Sequence, residues 1–405
     1  MRTVLSTSAI TTLGTLPVFL ISSQSVFIRT DLGFDEMHFG IAVSVFFGSA
    51  AICAIVGGRL VDGMGRRRGT IAGGLTAAAG GFAVALLAHS WIVLVMLMVV
   101  LGIANAACQL TSNLTMARVV PSNRQGLGFG VKQAAIPFSI MIAGLAVPVI
   151  SGTVGWRWTF VLTGIGGLFV TIAGFCMHED NANSGRTARI SHDLPPVRAL
   201  IITMLAVSFA SAAANSFGSF VASWAFITGL TPAGAGLLMA FGSGANIIVR
   251  ILVGHSADLR HGRNLPLVAA QMAIGAASLA FLSIESPYSV VSAGLVAFAL
   301  GWSWPGLLLF AVVRVGRDAP GFASGMVQAG AFIGGATGPV LFGLAAETLG
   351  YETAWRLAAM SFLVAAVLIL IARRAFVSDL RARPPVQPIM YGGGRGIPAH
   401  RTRRP

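Results

Sequence analysis

The sequence predicts an all-α membrane protein whose twelve transmembrane helices form two six-helix parallel repeats. Three observations carry that expectation: an apolar composition, the count of spans, and a glycine pattern that recurs in the second half. Of 405 residues, 55% are hydrophobic and 10% charged, with a mean hydropathy of +0.82, whereas soluble domains carry about 25% charged residues. Crossing a hydrocarbon core of about 30 Å takes roughly 17–25 apolar residues. Such stretches fall at 4–28, 36–57, 70–88, 92–117, 126–150, 157–177, 199–223, 233–254, 265–284, 288–312, 321–346 and 354–372.

In chain order, the first stretch is longer than the apolar region of a signal peptide and lacks an A-x-A cleavage site, so it reads as a helix. Asp35 and Glu36 open the second as ordinary capping residues, and Thr231-Pro232 opens the eighth in the same way. The fourth carries Asn105, Gln109 and Asn113 every four residues, one stripe of a helix face. The fifth holds Lys132, Gln133, Pro137 and Pro148, and the eleventh holds Gln328 and Pro339; proline deletes a backbone hydrogen bond and kinks such helices. Asn215 falls in the seventh span, Asn246 and Arg250 in the eighth, and Trp302 in the tenth. The polar segment 179–196 reads as a linker between an N-terminal bundle, 1–178, and a C-terminal bundle, 197–376. Residues 377–405, rich in Arg, Pro and Gly, read as a basic, disordered tail. Cys53, Cys108 and Cys176 have unrelated spacings, which gives neither a disulfide framework nor a metal site.

A net charge of +14 suggests nucleic acid in a soluble chain, but here its distribution is topological. With a cytoplasmic N-terminus, only Arg29, Arg157 and Arg356 face outward, while Lys132 and Arg250 lie within spans and every other arginine faces the cytoplasm. That asymmetry obeys the positive-inside rule. The expected location is the inner or plasma membrane with both termini cytoplasmic, in contact with the lipid bilayer and with no nucleic-acid partner.

The halves repeat. An offset of 196 pairs Gly33, Gly40, Gly48, Gly58 and Asp62 with Gly229, Gly236, Gly244, Gly254 and Asp258; an offset of 195 pairs Gly130 and Gln133 with Gly325 and Gln328; an offset of 199 pairs Trp156-Arg157 with Trp355-Arg356. Six spans separate equivalent helices, so both halves run the same way through the bilayer about an axis along its normal. Such a pair can enclose a site at its interface and rock around it.

The turn GRLVDGMGRRRG at 58–69 resembles the cytoplasmic signature of the major facilitator superfamily, G-x-L-x-D-R-x-G-R-R, with Gly58, Leu60, Asp62, Gly65, Arg66 and Arg67 in register. The second copy, at 254–264, departs by one residue inserted before Gly262. The resemblance extends over residues 1–376 and implies a twelve-helix transporter working by alternating access. It also implies a conformational latch at Gly58, Asp62, Gly65 and Arg66, with Gly254, Asp258 and Arg263 in the second half. A weaker resemblance, of the run at 250–258, is to monocarboxylate- and cyanate-like anion carriers, in which this arginine engages the cargo.

Lys132 is the single lysine among 27 basic residues. A span that begins near residue 126 places it about 9 Å inside the membrane, where a charge is costly. Snorkelling accounts for a cation at this depth, yet arginine snorkels equally well. A compact ammonium in a polar cavity is the better reason for lysine. Lys132 and Arg250 meet no mid-span carboxylate, so the cargo expected is a small organic or inorganic anion, with a coupling proton left open. Candidate contacts are Lys132, Arg250, Gln133, Gln328, Asn105, Gln109, Asn246, Asn215 and Trp302. The alternative is a proton-driven exporter of drugs or hydrophobic metabolites, against which Met98 stands where such exporters carry an arginine and IPFSIMIAGLAVP where they carry G-P-x-x-G-G. A carrier-derived sensor is a more distant alternative. No H-E-x-x-H or G-x-S-G motif is present, so an enzyme is not expected, nor is a cofactor or a metal, and the chain is expected to be monomeric.

Overall fold

The computed structural model describes residues 2–119, 131–177, 194–259, 264–317, 320–384, 389–390 and 396–397. Among them are twelve helices long and apolar enough to cross a membrane. These are α1 (Leu5–Ser23), α2 (Glu36–Ala54), α3 (Gly65–Leu87), α4 (Trp91–Asn113), α5 (Val131–Ser151), α6 (Arg157–Phe175), α7 (Val197–Ile227), α8 (Pro232–Ala257), α9 (Asn264–Leu282), α10 (Pro287–Val315), α11 (Phe322–Leu349) and α12 (Tyr351–Ala382). Their exposed faces carry large apolar side chains such as Phe169, Phe241 and Leu252, as a hydrocarbon solvent requires.

Local chemistry sets the helix ends. Asp35 is the N-cap of α2, its carboxylate accepting the His38 N–H at 2.8 Å. α2 runs on into α3, and the direction changes at Gly65, whose φ of 76° is open to glycine and strained for other residues. α1 is followed after Gln24 by a short helix, Ser25–Leu32. α12 continues to Ala382, beyond the boundary at 376 expected from the sequence, and within the expected tail Ile389–Met390 pair antiparallel with Gly396–Ile397.

Between apolar helices in lipid, close packing replaces hydrophobic driving force, and small residues provide it. The halves meet along two such faces. On one, Gly40 of α2 packs on the backbone of Pro339 in α11; on the other, Gly236 of α8 packs on that of Gly144 in α5, and neither crossing leaves room for a Cβ. These contacts are equivalent, because the offset of 196 pairs Gly40 with Gly236 and the offset of 195 pairs Gly144 with Pro339. The repeat read from the sequence is thus the symmetry of the interface. Both crossings lie toward the end of the bundle remote from the chain termini.

Inside the N-terminal half, α1 is a polar seam. Thr11 bonds Ser112 of α4 at 2.9 Å, Thr15 bonds Ser139 of α5 at 2.7 Å, and Gln24 donates to Thr159 of α6 at 3.0 Å. The centre of the molecule is aromatic. Phe19 of α1 meets the edge of Trp302 at 6.2 Å, Trp302 stacks on Phe298, and Phe217 of α7 lies 4.4 Å from Phe298.

Candidate functional site

Lys132 is 3% exposed and points at α4. Its ammonium donates to Gln109 Oε1 at 3.2 Å and to Asn113 Oδ1. The i, i+4 stripe therefore does what its spacing allows: two amide oxygens on one helix face converge on a single charge. An ammonium has three donors and no acceptor, so one donor remains for a further ligand. No carboxylate among the described residues pairs with it, and Gln109 and Asn113 are themselves half-buried. Asn105, the third member of the stripe, lies instead where α4 crosses Gly14 of α1, and its Oδ1 has no partner.

Arg250 is buried to a similar degree, at 4% exposure, but it is held differently. One Nη donates to the backbone carbonyl of Gln133 at 2.6 Å and the other to that of Trp302 at 2.7 Å. Both acceptors exist because helices break. Four residues after Gln133 stands Pro137, which has no N–H to give, so the Gln133 carbonyl is left without its helical donor. Trp302 follows a π-turn at Ala297–Gly301 and takes the non-helical φ −103°, ψ 14°, before the helix resumes at Trp304. In that turn the Trp302 N–H donates to Ala297 O at 2.9 Å, which frees the Phe298 carbonyl, and Asn246 Nδ2 donates to it and to Ser303 Oγ at 3.0 Å. Asn246 and Arg250, one turn apart on α8, thus cap the broken backbone of α10, and Arg250 also ties α8 to the opposite half.

Beside Arg250, a narrow cleft toward Gly254 and Phe310 has about 10 Å³ of free space, room for a water-sized group. Besides Asn105, two candidates stand apart from these clusters. Asn215 turns back on its own helix, donating to Ser211 O at 2.8 Å, and Gln328 makes no hydrogen bond among the described residues. Trp302 enters through its backbone carbonyl and through its ring in the aromatic centre, Gln133 through its carbonyl alone.

Of the expected latch, Arg263 lies outside the described residues, and for Gly58, Asp62 and Asp258 only helical backbone is described. Gly65 makes the turn, Arg66 is half-buried beside it, and Gly254 lines the narrow cleft. The remote end carries polar contacts between the halves that the sequence did not indicate. Tyr351 of α12 donates to Glu36 at 3.5 Å, and Glu36 pairs with Arg29 at 2.5 Å. The Met37 N–H donates to Glu347 at 3.2 Å, the Val340 N–H to Ser44 Oγ at 3.0 Å, and Ser25 bonds Ser223 at 2.8 Å. Glu36, read from the sequence as a capping residue, has its carboxylate in this contact.

Comparison with known proteins gives a family and a fold. The family model of the Major Facilitator Superfamily matches residues 5–287 and, in a second match, 203–389. The chain is 28% identical over 356 residues to a chloramphenicol resistance protein of Streptomyces lividans, covering 83% of this chain and 86% of that one. Among solved structures, a bacterial homologue of the human lysosomal transporter Spinster, inward-facing and unoccupied, superposes with a TM-score of 0.73 at 16% identity, covering 93% of this chain and 98% of that one. Its occupied inward-facing form superposes with a TM-score of 0.68, covering 94% and 96%.

Proposed function

Because the chain belongs to the major facilitator superfamily, we propose that this transporter carries a small anion by alternating access, with Lys132 as the charge that receives it. The observation that carries the reading is a buried ammonium whose described partners are neutral amides with one donor to spare. A buried charge is costly unless paired, and an anionic cargo supplies the missing partner. Arg250 adds positive potential nearby, but its two Nη groups are engaged by carbonyls. Its part is to hold α8, α10 and α5 in register until the halves rock.

Alternation follows from the interface. The remote end is held by two glycine crossings and by the hydrogen bonds of Tyr351, Glu347, Ser44 and Ser25. Opening that end breaks these bonds, and the latch of Asp62, Arg66 and Asp258 closes the other end in exchange. The positive-inside distribution of arginine supports a cytoplasmic position for the end that bears the termini.

The reading is tested by uptake of labelled formate, acetate, cyanate and nitrate into proteoliposomes. Lys132→Ala should lower uptake of the transported anion about tenfold or more, the scale of one lost charge-assisted hydrogen bond, and Lys132→Arg should retain part of it. Undiminished uptake by Lys132→Ala would remove the lysine from the cargo site. A second reading, export of a drug-like molecule, is favoured by the chloramphenicol resistance protein among the relatives and by the aromatic centre of Phe19, Phe217, Phe298 and Trp302. It requires that expression of the chain raise the chloramphenicol tolerance of a sensitive host. The anion reading expects no change.

A further inference from the structure

Where α7 begins and α12 ends, the C-terminal half has a cleft of about 500 Å³, separate from Lys132 and Arg250. Its lining divides by chemistry. Ile202, Ile371 and Ala375 make an apolar floor, while Arg198, Arg374 and Ser378 stand at the rim. The one carboxylate in the cleft, Asp379, is already engaged: Arg317 pairs with it at 2.7 Å and Arg383 closes on its other oxygen. Arg198 and Arg374 are exposed, and neither has a carboxylate partner among the described residues.

Each of these arginines heads an apolar stripe at helical spacing. Below Arg198 on α7 lie Ile201, Leu205 and Phe209; below Arg374 on α12 lie Leu370, Val367 and Leu363, and all six are exposed. Exposed apolar stripes on two adjoining membrane helices meet acyl chains. A pair of guanidinium groups at the head of those stripes, at the membrane surface, matches a phosphate through charge-assisted hydrogen bonds. We propose that this cleft seats an anionic phospholipid, its phosphate between Arg198 and Arg374 and its acyl chains along the stripes of α7 and α12. The apolar floor selects a lipid over free phosphate, and the basic rim selects an anionic headgroup over a zwitterionic one.

The test is native mass spectrometry and thermal unfolding of the full chain in nanodiscs of phosphatidylglycerol or phosphatidylcholine. The wild-type protein should keep a bound phosphatidylglycerol and unfold at higher temperature in its presence. Arg198→Ala/Arg374→Ala should lose about thirtyfold of the preference for the anionic lipid, the scale of two surface arginines. Arg373→Ala removes an equal charge from a residue that is exposed but does not line the cleft, and should keep the preference. An unchanged preference in the double variant overturns the site, and so does an equal loss in Arg373→Ala, which would make the effect diffuse. Displacement of the lipid by millimolar inorganic phosphate would also overturn it, in favour of a simple anion site.

Discussion

The two faces on which the halves meet, α5 against α8 and α2 against α11, are equivalent by the repeat and begin alike at the remote end, glycine on backbone. Nearer the termini they diverge. On the first face Arg250 crosses to the Gln133 carbonyl that Pro137 leaves open. On the second, the offsets pair Arg250 with Ala54, Gln133 with Gln328 and Pro137 with Phe332. Phe332 has an N–H to close its own helix, and it belongs to an apolar cluster with Ala50 and Ala106 against which Cys53 and Ala54 pack. Equivalent positions thus form a polar clamp on one side and an apolar joint on the other. A polar clamp is specific in geometry, whereas an apolar joint rests on non-directional contacts. In the proposed cycle the α5–α8 face, where Lys132 is the immediate neighbour of Gln133, would sense the cargo, and the α2–α11 face would carry the rocking motion.

The two faces differ most at Arg250. Arg250→Ala leaves the half-buried carbonyl of Gln133 and the buried carbonyl of Trp302 without donors, at a cost of about 2–6 kcal/mol from roughly 1–3 for each, to be read as a fall in the thermal midpoint of the purified protein. Lysine should not rescue it, since one ammonium cannot reproduce a fork that spans two carbonyls. A midpoint unchanged in Arg250→Ala would show that the clamp contributes nothing.

Pro137→Ala sharpens the same point. It restores the N–H at position 137, which takes the Gln133 carbonyl back into α5 and deprives Arg250 of that acceptor. In a double-mutant cycle, Arg250→Ala should then cost less in the Pro137→Ala background, with a coupling of about 0.5–3 kcal/mol. Additive costs would mean that the proline does not create the acceptor.

How much of this was legible beforehand depends on range. Span count, the Gln109–Asn113 stripe and the glycine pairs follow from spacing within one helix or from one constant offset, and a sequence displays both. The pairing of Arg250 with Gln133 does not, because it joins a missing N–H in one half to a side chain 117 residues away. The π-turn of α10 had a local sign in GWSWPG, where Pro305 interrupts the helix, but its consequence for Asn246 lies on another helix. Thr11 and Thr15 of the α1 seam stand four residues apart, a helical spacing that the sequence displays. The seam fills the interior of the N-terminal half, and so it says little about cargo.

The smallest effect expected is at the remote end. Burial raises the Asp35 carboxyl, and the hydrogen bonds and charge of His38 together with the charge of Arg29 outweigh that push, holding it below its ordinary value of 3.8. A lowered folded-state pKa stabilises above the unfolded value and is lost as pH falls through the folded one. The thermal midpoint should therefore be level well above pH 3.8 and decline below it, and Asp35→Asn, which keeps the cap, should flatten that decline. An identical decline in the variant would assign it to another carboxylate.

One distance reports the proposed rocking motion coupled to an anion at Lys132. Spin labels at Ser90 and Glu285, in the remote-end loops after α3 and α9, measured by pulsed dipolar spectroscopy in a background without the native cysteines, should separate when the transported anion is added. The same labels in Lys132→Ala should stay at the apo distance. No separation in the otherwise wild-type chain, or an equal separation in Lys132→Ala, would contradict it.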